Sequence, residues 1–367
     1  MDDRTSAYDY DLPPDLIAQQ AIEPRDAARL MVCGASAGAP SHRHIRDLPD
    51  LLHPGDLLVL NRTKVIPARL FGRKSTGGAV EVLLIHPEED DYAEDDVAEG
   101  DNAEKKTQPP RWRCLIGGKV RPGTVIDVSG TRAEVLTCHD DGERTLAFPP
   151  SCAVEALCER LGRIPLPPYI RRDAVATDRE RYQTVFADRP GSVAAPTAAL
   201  HLTRDLLNRL AAGGVETAFV DLAIGPGTFK PVDTESITDF RIHAERADCP
   251  AETVAAITAC RARGGRVIAV GTTVVRTLET AAAQPDGLAP WSGWTRIFLH
   301  PPRRLAAVDG LLTNFHLPRS SLLMLVACLT GRERLLALYA EAIAERYRFF
   351  SYGDACLFLP GSLPAES

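Results

Sequence analysis

Short apolar runs separated by turn residues dominate the chain between residues 56 and 159. Glycine pairs or Asp-Gly steps at 77–78, 117–118 and 141–142 separate runs that are rich in Val, Ile, Leu and Trp. The runs cover residues 57–60, 65–69, 80–85, 112–116, 125–128, 133–137 and 145–148. Many short strands with turn signals at this spacing are typical of small barrels and sandwiches. The pattern predicts a small antiparallel β domain over residues 56–159.

After Gly191 the pattern changes to alternating strands and helices. Predicted strands cover residues 217–224, 266–270 and 296–299, and predicted helices cover 202–212, 250–263, 274–283, 321–329 and 332–346. Thr203 is the expected N-cap of the first of these helices. Such alternation predicts a mostly parallel sheet flanked by helices. We therefore expect an α/β protein, with residues 1–55 and 160–367 forming the α/β domain around the inserted β domain.

One segment carries the negative charge of the chain. The net charge is −7, but residues 87–108 contain ten acidic residues and two lysines, and the rest of the chain sums to +1. A self-repelling run with few apolar residues is expected to be a flexible, solvated loop. The overall acidity therefore does not exclude a nucleic-acid partner.

Length, apolar content and cysteine spacing restrict the class of protein. The 367 residues are 45% hydrophobic, enough for two or three domains with cores of their own. No apolar run approaches the roughly 20 residues of a membrane span, and the acidic N-terminus does not resemble a signal peptide. The nine cysteines include no C-x-x-C pair and are expected to be structural thiols. These features predict a soluble cytoplasmic protein without a membrane partner.

Two glycine turns follow predicted strands, at the edge where α/β sheets bind ligands. Gly271, Thr272 and Thr273 precede a predicted helix, so backbone N–H groups and hydroxyls there could hold an anion such as a carboxylate. The second turn could bring backbone close to a flat ligand that stacks on an aromatic ring; its residues are Gly225, Gly227, Thr228 and Phe229. For the turn at 271–273, an ordinary capped connection between a strand and a helix remains the alternative. The turn at 225–229 lacks the Lys-Ser/Thr ending of a phosphate loop, so it is not expected to bind a nucleotide triphosphate.

Several side chains are candidates for proton transfer. His243 and Glu245 are two residues apart and would face the same side of an extended segment. A His–carboxylate pair suits general acid–base catalysis, although a structural histidine beside a surface glutamate has the same sequence. His201, His316 and Asp354 are further candidates. No two of these residues have the spacing of a metal-binding motif, so no metal site is predicted.

Arginine-rich segments suggest contacts with RNA phosphates and bases. One contains Tyr169 and Tyr182 among the arginines Arg163, Arg171, Arg172, Arg179 and Arg181. The other contains Arg303, Arg304, Arg346 and Arg348. A solvated, arginine-rich surface would have the same composition, so both interpretations stay open.

Long sequence blocks in a fixed order extend through most of the chain. They include Tyr-Asp-Leu-Pro at 10–13, Pro-Gly-Asp-Leu-Leu-Val-Leu-Asn at 54–61, Val-Ile-Pro-Ala-Arg-Leu at 65–70, Pro-Leu-Pro-Pro-Tyr-Ile at 165–170, Glu-Arg-Tyr-Gln-Thr-Val at 180–185, Pro-Gly-Ser-Val-Ala-Ala-Pro-Thr-Ala at 190–198, Thr-Asn-Phe-His-Leu-Pro at 313–318 and Tyr-Arg-Phe-Phe-Ser-Tyr-Gly-Asp at 347–354. Together they resemble the S-adenosylmethionine:tRNA ribosyltransferase-isomerase family of queuosine biosynthesis.

The resemblance implies an α/β domain with an inserted small β-barrel and an enzyme that uses S-adenosylmethionine as a ribosyl donor. The acceptor would be the aminomethyl group of 7-aminomethyl-7-deazaguanine in a tRNA anticodon. The products would be epoxyqueuosine, adenine and methionine. The implied partner is the anticodon stem-loop of tRNA, with no metal, and we expect a monomer.

The resemblance also implies roles for individual residues. A base among His243, Glu245 and His201 would remove a C5′ proton that the sulfonium acidifies. The turn at 271–273, together with Arg276, would bind the methionine carboxylate, and the turn at 225–229 would contact the rest of the donor. The residues expected to bind substrate are Asn61, Arg69, Tyr169, Pro196, Thr197, His316, Arg348, Tyr352 and Asp354.

Five positions depart from the family pattern: Arg62, Ala199, Ala223, Ala244 and His300. The family typically has an aspartate at position 62, a histidine at position 223 and a serine at position 244, so hydrogen-bonding capacity changes there. These departures leave two alternatives open. The donor chemistry could serve a different, small-molecule amine, or the chain could be a non-catalytic descendant that binds RNA or a nucleoside.

Overall fold

The computed structural model describes residues 3–34, 38–88, 109–229 and 232–360. The strands are β1 (Arg29–Cys33), β2 (Ser41–His44), β3 (Leu57–Asn61), β4 (Thr63–Val65), β5 (Arg69–Lys74), β6 (Ala79–Pro87), β7 (Arg111–Ile116), β8 (Val125–Val128), β9 (Thr131–Cys138), β10 (Arg144–Ala147), β11 (Arg189–Ser192), β12 (Glu216–Leu222), β13 (Glu245–Cys249), β14 (Val267–Val270), β15 (Trp291–Thr295), β16 (Gly310–Asn314) and β17 (Ala355–Phe358). The α-helices are α1 (Leu48–Leu51), α2 (Val154–Leu161), α3 (Asp178–Arg181), α4 (Arg204–Ala212), α5 (Ala251–Ala262), α6 (Thr272–Ala282), α7 (Ser321–Thr330) and α8 (Arg332–Ala344). Short 3₁₀ helices cover Thr5–Tyr8, Pro14–Leu16, Arg25–Ala27, Ile45–Asp47, Thr197–His201, Pro226–Phe229 and Ile237–Asp239.

A nine-stranded sheet forms the centre of the α/β part, in the order β15-β13-β12-β3-β14-β16-β17-β1-β2. The four central strands β12, β3, β14 and β16 are parallel to one another, whereas most pairs nearer the edges are antiparallel. Leu57 of β3 pairs with Glu216 on one side and Val267 on the other. The carboxyl ends of these parallel strands therefore meet at one edge, where both glycine turns lie.

Helices cover both faces of this sheet. Leu57 and Val59 of β3 pack in a core that includes residues of α5, α6, α7 and α8. Leu58 and Leu60 point the other way and pack with residues of α1 and α4. Because both faces are buried, the central strands are apolar at nearly every position instead of alternating.

The strands from β5 to β10 form a closed antiparallel barrel in the order β10-β7-β6-β5-β8-β9. Its strands alternate buried and exposed positions, and the inward side chains form a separate core that includes Leu70, Val82, Trp112 and Leu146. The predicted fold class, an α/β protein with an inserted antiparallel barrel, is confirmed.

Three strand predictions need correction. The predicted strand at 65–69 is wrong, because Val65 ends β4 and Arg69 begins β5. Residues 57–60, predicted as part of the β domain, form a strand of the nine-stranded sheet because every residue of Leu57–Asn61 is buried. The barrel begins at Arg69 instead. The prediction of a strand at 296–299 is also wrong, since the strand in this region ends earlier. It covers Trp291–Thr295 and pairs with β13. The division of the chain into domains at residues 56 and 159 stays a prediction.

The remaining expectations about local structure have mixed outcomes. Thr203 caps α4 as predicted, with its Oγ1 accepting a hydrogen bond from Leu206 N at 3.1 Å. All nine cysteines are free thiols. In the described part of the chain, no helix combines the length and apolar character that crossing a membrane requires. Of the predicted acidic loop at 87–108, residues 89–108 lie outside the described residues.

Candidate active site

A cavity of about 430 Å³ lies between the barrel and the edge of the large sheet. One wall is formed by the turn at 225–228 after β12, by residues 241–245 leading into β13, and by Arg276 of α6. The other wall comes from the barrel and includes Ile85, His86, Arg113, Asp141 and Glu143. Because its two walls come from different parts of the fold, the site depends on how the barrel meets the sheet.

Glu245 is the most constrained side chain in this cavity. Its Oε1 accepts hydrogen bonds from Gly225 N at 3.0 Å and Thr228 Oγ1 at 2.9 Å, and its Oε2 pairs with Arg276 Nη1. Glu245 and Arg276 each expose only 4% of their surface, and Arg276 Nε also donates to the carbonyl oxygen of Ile297. The described part of the chain supplies no hydrogen-bond partner for the buried Arg276 Nη2. The ion pair therefore connects the glycine turn to α6, and Nη2 of Arg276 has no partner among the described residues.

His243 lies against the glycine turn. A Cβ atom on Gly227 would be 2.6 Å from His243 Cδ2, so only glycine allows this approach. His243 and Glu245 both line the larger cavity, as their two-residue spacing predicts. Whether either moves a proton stays a prediction.

The barrel wall was not found by sequence reasoning. Arg113 of β7 donates to Glu143 at 2.8 Å and to Asp141 at 2.9 Å, and the His86 ring contacts the Trp294 ring edge-on with centroids 4.9 Å apart. In the sequence these residues belong to ordinary alternating strands and a turn, so only the closed barrel brings them to the cavity.

A second, smaller cavity of about 70 Å³ adjoins the first and shares Thr228 and Leu322 with it. It lies at the N-terminus of α6, where Gly271 has a φ of +94° and provides no capping side chain. Seven further predicted site residues also line it: Tyr169, Pro196, Thr197, Gly271, Thr272, Thr273 and His316. The two cavities together therefore contain most of the predicted donor-binding residues.

A buried hydrogen-bond chain supports the smaller cavity. Thr197 Oγ1 donates to Asn314 Oδ1 at 3.0 Å, and Asn314 Nδ2 lies 3.2 Å from His201 Nε2. Burial lowers the pKa of His201 to about 4, so its ring is neutral and Nε2 accepts from Asn314. His201, predicted to be catalytic, lines neither described cavity and contacts the site through Asn314.

His316 is buried in the wall of the smaller cavity. Its Nε2 is 2.9 Å from Thr313 Oγ1, and its backbone N–H donates to Tyr339 Oη at 3.0 Å. Burial lowers the pKa of His316 to about 3, which keeps the ring neutral. A neutral ring held by a hydroxyl suits a fixed polar contact rather than a counter-ion.

Five other residues predicted to bind substrate are absent from the described linings of both cavities: Asn61, Arg69, Arg348, Tyr352 and Asp354. They make internal contacts instead. Asp354 accepts from the backbone N–H groups of Arg29 and Arg348, and Arg69 pairs with Glu81 at 3.1 Å. The side chain of Phe229 lies outside the described residues.

Carboxylates neutralise four of the nine arginines that were predicted to contact RNA. Arg172, Arg179, Arg181 and Arg346 form ion pairs with Asp178, Glu159, Glu23 and Asp15, respectively. Arg62, a departure from the family pattern, likewise pairs with Asp221 on the neighbouring strand. These arginines have partners within the chain and are poor candidates for phosphate contacts.

Metal ligands do not cluster in the parts of the chain that the structure describes. No group of three or more His, Cys, Asp and Glu side chains there could hold an ion.

Comparison with known proteins agrees with the resemblance seen in the sequence. A family model described as "Queuosine biosynthesis protein" matches residues 5–358. The S-adenosylmethionine:tRNA ribosyltransferase-isomerases of Anaeromyxobacter sp. (strain Fw109-5) and Symbiobacterium thermophilum are 51% and 49% identical to this chain, over 96% and 97% of its length and 98% and 100% of theirs. The crystal structure of S-adenosylmethionine tRNA ribosyltransferase from Thermotoga maritima is 38% identical, with a TM-score of 0.54 over 96% of this chain and 100% of that one. The chain therefore belongs to the queuosine biosynthesis protein family.

Proposed function

We propose that the chain transfers and isomerises the ribosyl group of S-adenosylmethionine onto the aminomethyl group of 7-aminomethyl-7-deazaguanine in tRNA. The products are epoxyqueuosine, adenine and methionine. The observation that supports this most is the smaller cavity, whose lining includes residues of four of the sequence blocks that resemble the family and which adjoins the larger cavity. We also propose that the protein is cytoplasmic and acts as a monomer.

The cavity sizes support a division of the donor between them. The larger cavity, at about 430 Å³, is in the range of small-molecule sites and has room for adenine and ribose. The smaller one, at about 70 Å³, suits a group of a few atoms such as the amino acid end. The N–H groups of the first turn of α6 favour a carboxylate there, with Thr272 and Thr273 beside it.

His243 is the better candidate for the base that removes the C5′ proton. Every interaction of Glu245 with Gly225, Thr228 and Arg276 would have to weaken before its carboxylate could accept a proton. Glu245 is therefore proposed to position the glycine turn and Arg276. Loss of the C5′ proton starts the departure of adenine, after which the neutral acceptor amine attacks and methionine leaves.

Arg276 has one donor available for the substrate. Its Nη1 pairs with Glu245 and its Nε with a carbonyl, but Nη2 is buried without a partner among the described residues. An unpaired buried N–H is unfavourable, so a substrate oxygen that accepts from Nη2 would relieve it. This donor would help to orient the bound nucleoside rather than neutralise a charge.

The test is incubation of the purified protein with S-adenosylmethionine and tRNA that carries the aminomethyl-deazaguanine. Adenine release and epoxyqueuosine are measured by mass spectrometry, with and without tRNA. We expect both products only with tRNA. Absence of both would reject the proposal, and adenine release with a free amine, independent of tRNA, would favour the alternative small-molecule acceptor. Binding of S-adenosylmethionine with no turnover on any acceptor would favour the non-catalytic descendant.

The role of His243 is tested with His243→Gln. As a general base it should contribute about 10²- to 10⁴-fold to turnover, with little effect on donor affinity measured by calorimetry. His53→Gln is the matched control, because the His53 side chain is exposed and away from both cavities. Equal losses of turnover and donor affinity would make His243 a positioning residue.

A further inference from the structure

Neighbouring buried residues determine whether the hydroxyl group of Thr197 donates or accepts a hydrogen bond in the smaller cavity. Asn314 Nδ2 lies 3.4 Å from the carbonyl oxygen of Asp354, as well as 3.2 Å from His201 Nε2. A carbonyl oxygen only accepts, so the Asn314 amide must direct its NH₂ group to this side. The amide oxygen of Asn314 then faces Thr197.

The ring of His201 reinforces this orientation. A hydrogen bond with the backbone of Arg25 favours the protonated ring, as expected when a ring N–H donates to a carbonyl. The other nitrogen, Nε2, is then the acceptor that the NH₂ group of Asn314 needs. His201 and Asn314 expose only 5% and 3% of their surfaces, so water does not compete with these contacts.

Thr197 consequently presents only an acceptor to the smaller cavity. Its hydroxyl hydrogen is used on Asn314 Oδ1, which leaves the oxygen lone pairs of Thr197 for a ligand. The described residues that line this cavity include no Asp or Glu, so a bound cation would depend on neutral acceptors such as Thr197. Thr197 lines the same cavity as the first turn of α6, and a Cβ on Gly271 would lie 3.8 Å from the Cβ of Ala198, the residue after Thr197.

We propose that the smaller cavity is the subsite for the α-amino acid end of the sulfonium donor, with Thr197 Oγ1 accepting a hydrogen bond from the α-ammonium group. His201 is a positioning residue that acts through Asn314. The inference rests on the proposed function, which assigns the carboxylate to the neighbouring turn. An ammonium and a carboxylate on one carbon atom match an acceptor and a set of N–H donors that lie side by side.

Binding of two probes tests the role of Thr197 without turnover. The probes are S-adenosylhomocysteine and its analogue with hydrogen in place of the α-amino group, each measured by calorimetry. Wild type should prefer the amino compound by about tenfold or more, as expected for a hydrogen bond to a charged group. Thr197→Val should bind both with similar affinity, whereas Thr197→Ser should keep the preference.

Two substitutions test whether His201 acts through this chain. In His201→Gln the amide oxygen can still accept from Asn314, so the preference should persist. In His201→Leu no acceptor remains, the amide of Asn314 can reverse, and the preference should fall to about the level of Thr197→Val. A merely structural role would weaken both probes by the same factor and leave their ratio unchanged.

Failure of this inference differs from failure of the proposed function. If wild type shows no amino preference, or Thr197→Val retains it, the ammonium contact is wrong even when adenine release is normal. If wild type binds neither the probes nor S-adenosylmethionine, the proposed function itself fails.

A second observation concerns the end of the barrel. A groove of about 690 Å³ lies between the β5–β6 turn and the loop that connects β7 and β8. Its described lining contains four basic residues, Lys74, Lys119, Arg121 and Arg144, and no acidic residue. Arg144 directly follows Glu143, which lines the larger cavity, so one chain segment contributes to both.

We infer that this groove binds the phosphate backbone of the RNA whose modified base enters the larger cavity, an inference that also rests on the proposed function. Lys119 and Arg121 are exposed, and neither has a carboxylate among the lining residues. Four of the nine arginines first predicted to contact RNA are instead held in ion pairs, for example Arg179 with Glu159. A nucleic acid releases its counter-ions when Lys and Arg side chains that have no carboxylate partner neutralise its phosphates.

The test compares Lys119→Gln/Arg121→Gln with the control Arg179→Gln. Affinity for the substrate tRNA is measured at several salt concentrations. The groove variant should bind more weakly, and its plot of log affinity against log salt should be shallower by about one to two units, whereas the control should change little. Unchanged affinity in the groove variant, or an equal loss in the control, would overturn the assignment. Absence of tRNA binding by wild type would instead reject the proposed function.

Discussion

The amide of Asn61 holds together three elements that form the site. Its Oδ1 accepts from the backbone N–H groups of Thr63 and Leu222, both at 3.1 Å. Its Nδ2 donates to the carbonyl oxygen of Leu222 and to Thr273 Oγ1. The side chain therefore joins the ends of β3 and β12 to the first turn of α6, and its role in substrate binding stays a prediction.

Replacing Asn61 by aspartate should destabilise the protein strongly. The substitution removes both donors and places a carboxylate without a cationic partner at a fully buried position. We expect the free energy of unfolding, measured by urea denaturation, to fall by about 3 kcal/mol or more. Asn208→Asp on the exposed side of α4 is the control and should change it by less than about 0.5 kcal/mol. Similar effects at the two positions would contradict this account.

The neutral histidines predict how stability depends on pH. Burial lowers the pKa of His201 to about 4 and that of His316 to about 3, whereas the unfolded chain titrates near 6.5. Below about pH 6.5 the unfolded state binds more protons, so this part of the stability is lost as the pH falls toward 4. Each histidine adds up to about 1.4 kcal/mol per pH unit to that decline.

The measurement is the urea midpoint of wild type and His201→Gln between about pH 7.5 and about pH 4.5. The variant should show a shallower decline because one titrating group has been removed. Identical slopes would mean that His201 binds protons equally in the folded and unfolded states, which contradicts a neutral ring in the fold.

At the scale of elements, the turn after β12 contains two glycines with different roles. A Cβ on Gly227 would meet His243 at 2.6 Å, whereas a Cβ on Gly225 would meet nothing within 4 Å. Gly227→Ala should therefore displace His243 and lower adenine release about 100-fold, since misplacing a catalytic group by about 1 Å has effects of that size. Gly225→Ala should retain most activity. Comparable losses in the two variants, with unchanged melting temperatures, would argue against a close fit between this turn and His243.

Element boundaries were predictable where the chain carries local signals. The cap at Thr203 and Pro250 before α5 mark helix starts, and the structure agrees with both. Strands β1, β16 and β17 were missed because each is short and buried nearly throughout, without the alternation that identifies a strand. The same property of β3 led to its placement with the barrel, because a continuous apolar run does not say which sheet it joins.

At the scale of the whole molecule, replacing the acidic segment tests whether the stability of the barrel depends on the connection between β6 and β7. Strands β6 and β7 already pair at Pro87 and Trp112, and Glu88 Oε1 accepts from Thr145 Oγ1. Replacing residues 89–108 by a short Gly-Ser linker removes nine acidic residues and two lysines. The melting temperature should change by less than about 3 °C, because the length of a loop has a small entropic effect.

The control for this replacement adds Glu88→Ala in the shortened chain. That variant should melt lower than the linker variant, because the buried Thr145 hydroxyl loses its carboxylate acceptor. A large drop from the linker alone would show that the replaced segment contributes to folding.

The sequence by itself determined the family, the fold class and the two glycine turns, because these depend on local periodicity and on blocks of neighbouring residues. It also indicated that His243 and Glu245 face one side, since a spacing of two determines this on any extended segment. Only the tertiary structure showed that Glu245 is held by Arg276, that His201 contacts the site through Asn314, and that Arg113 and Glu143 form a wall of the larger cavity. Those contacts join residues that are distant in the chain, and no local pattern specifies which side chains closure of the sheet and barrel brings within hydrogen-bonding distance.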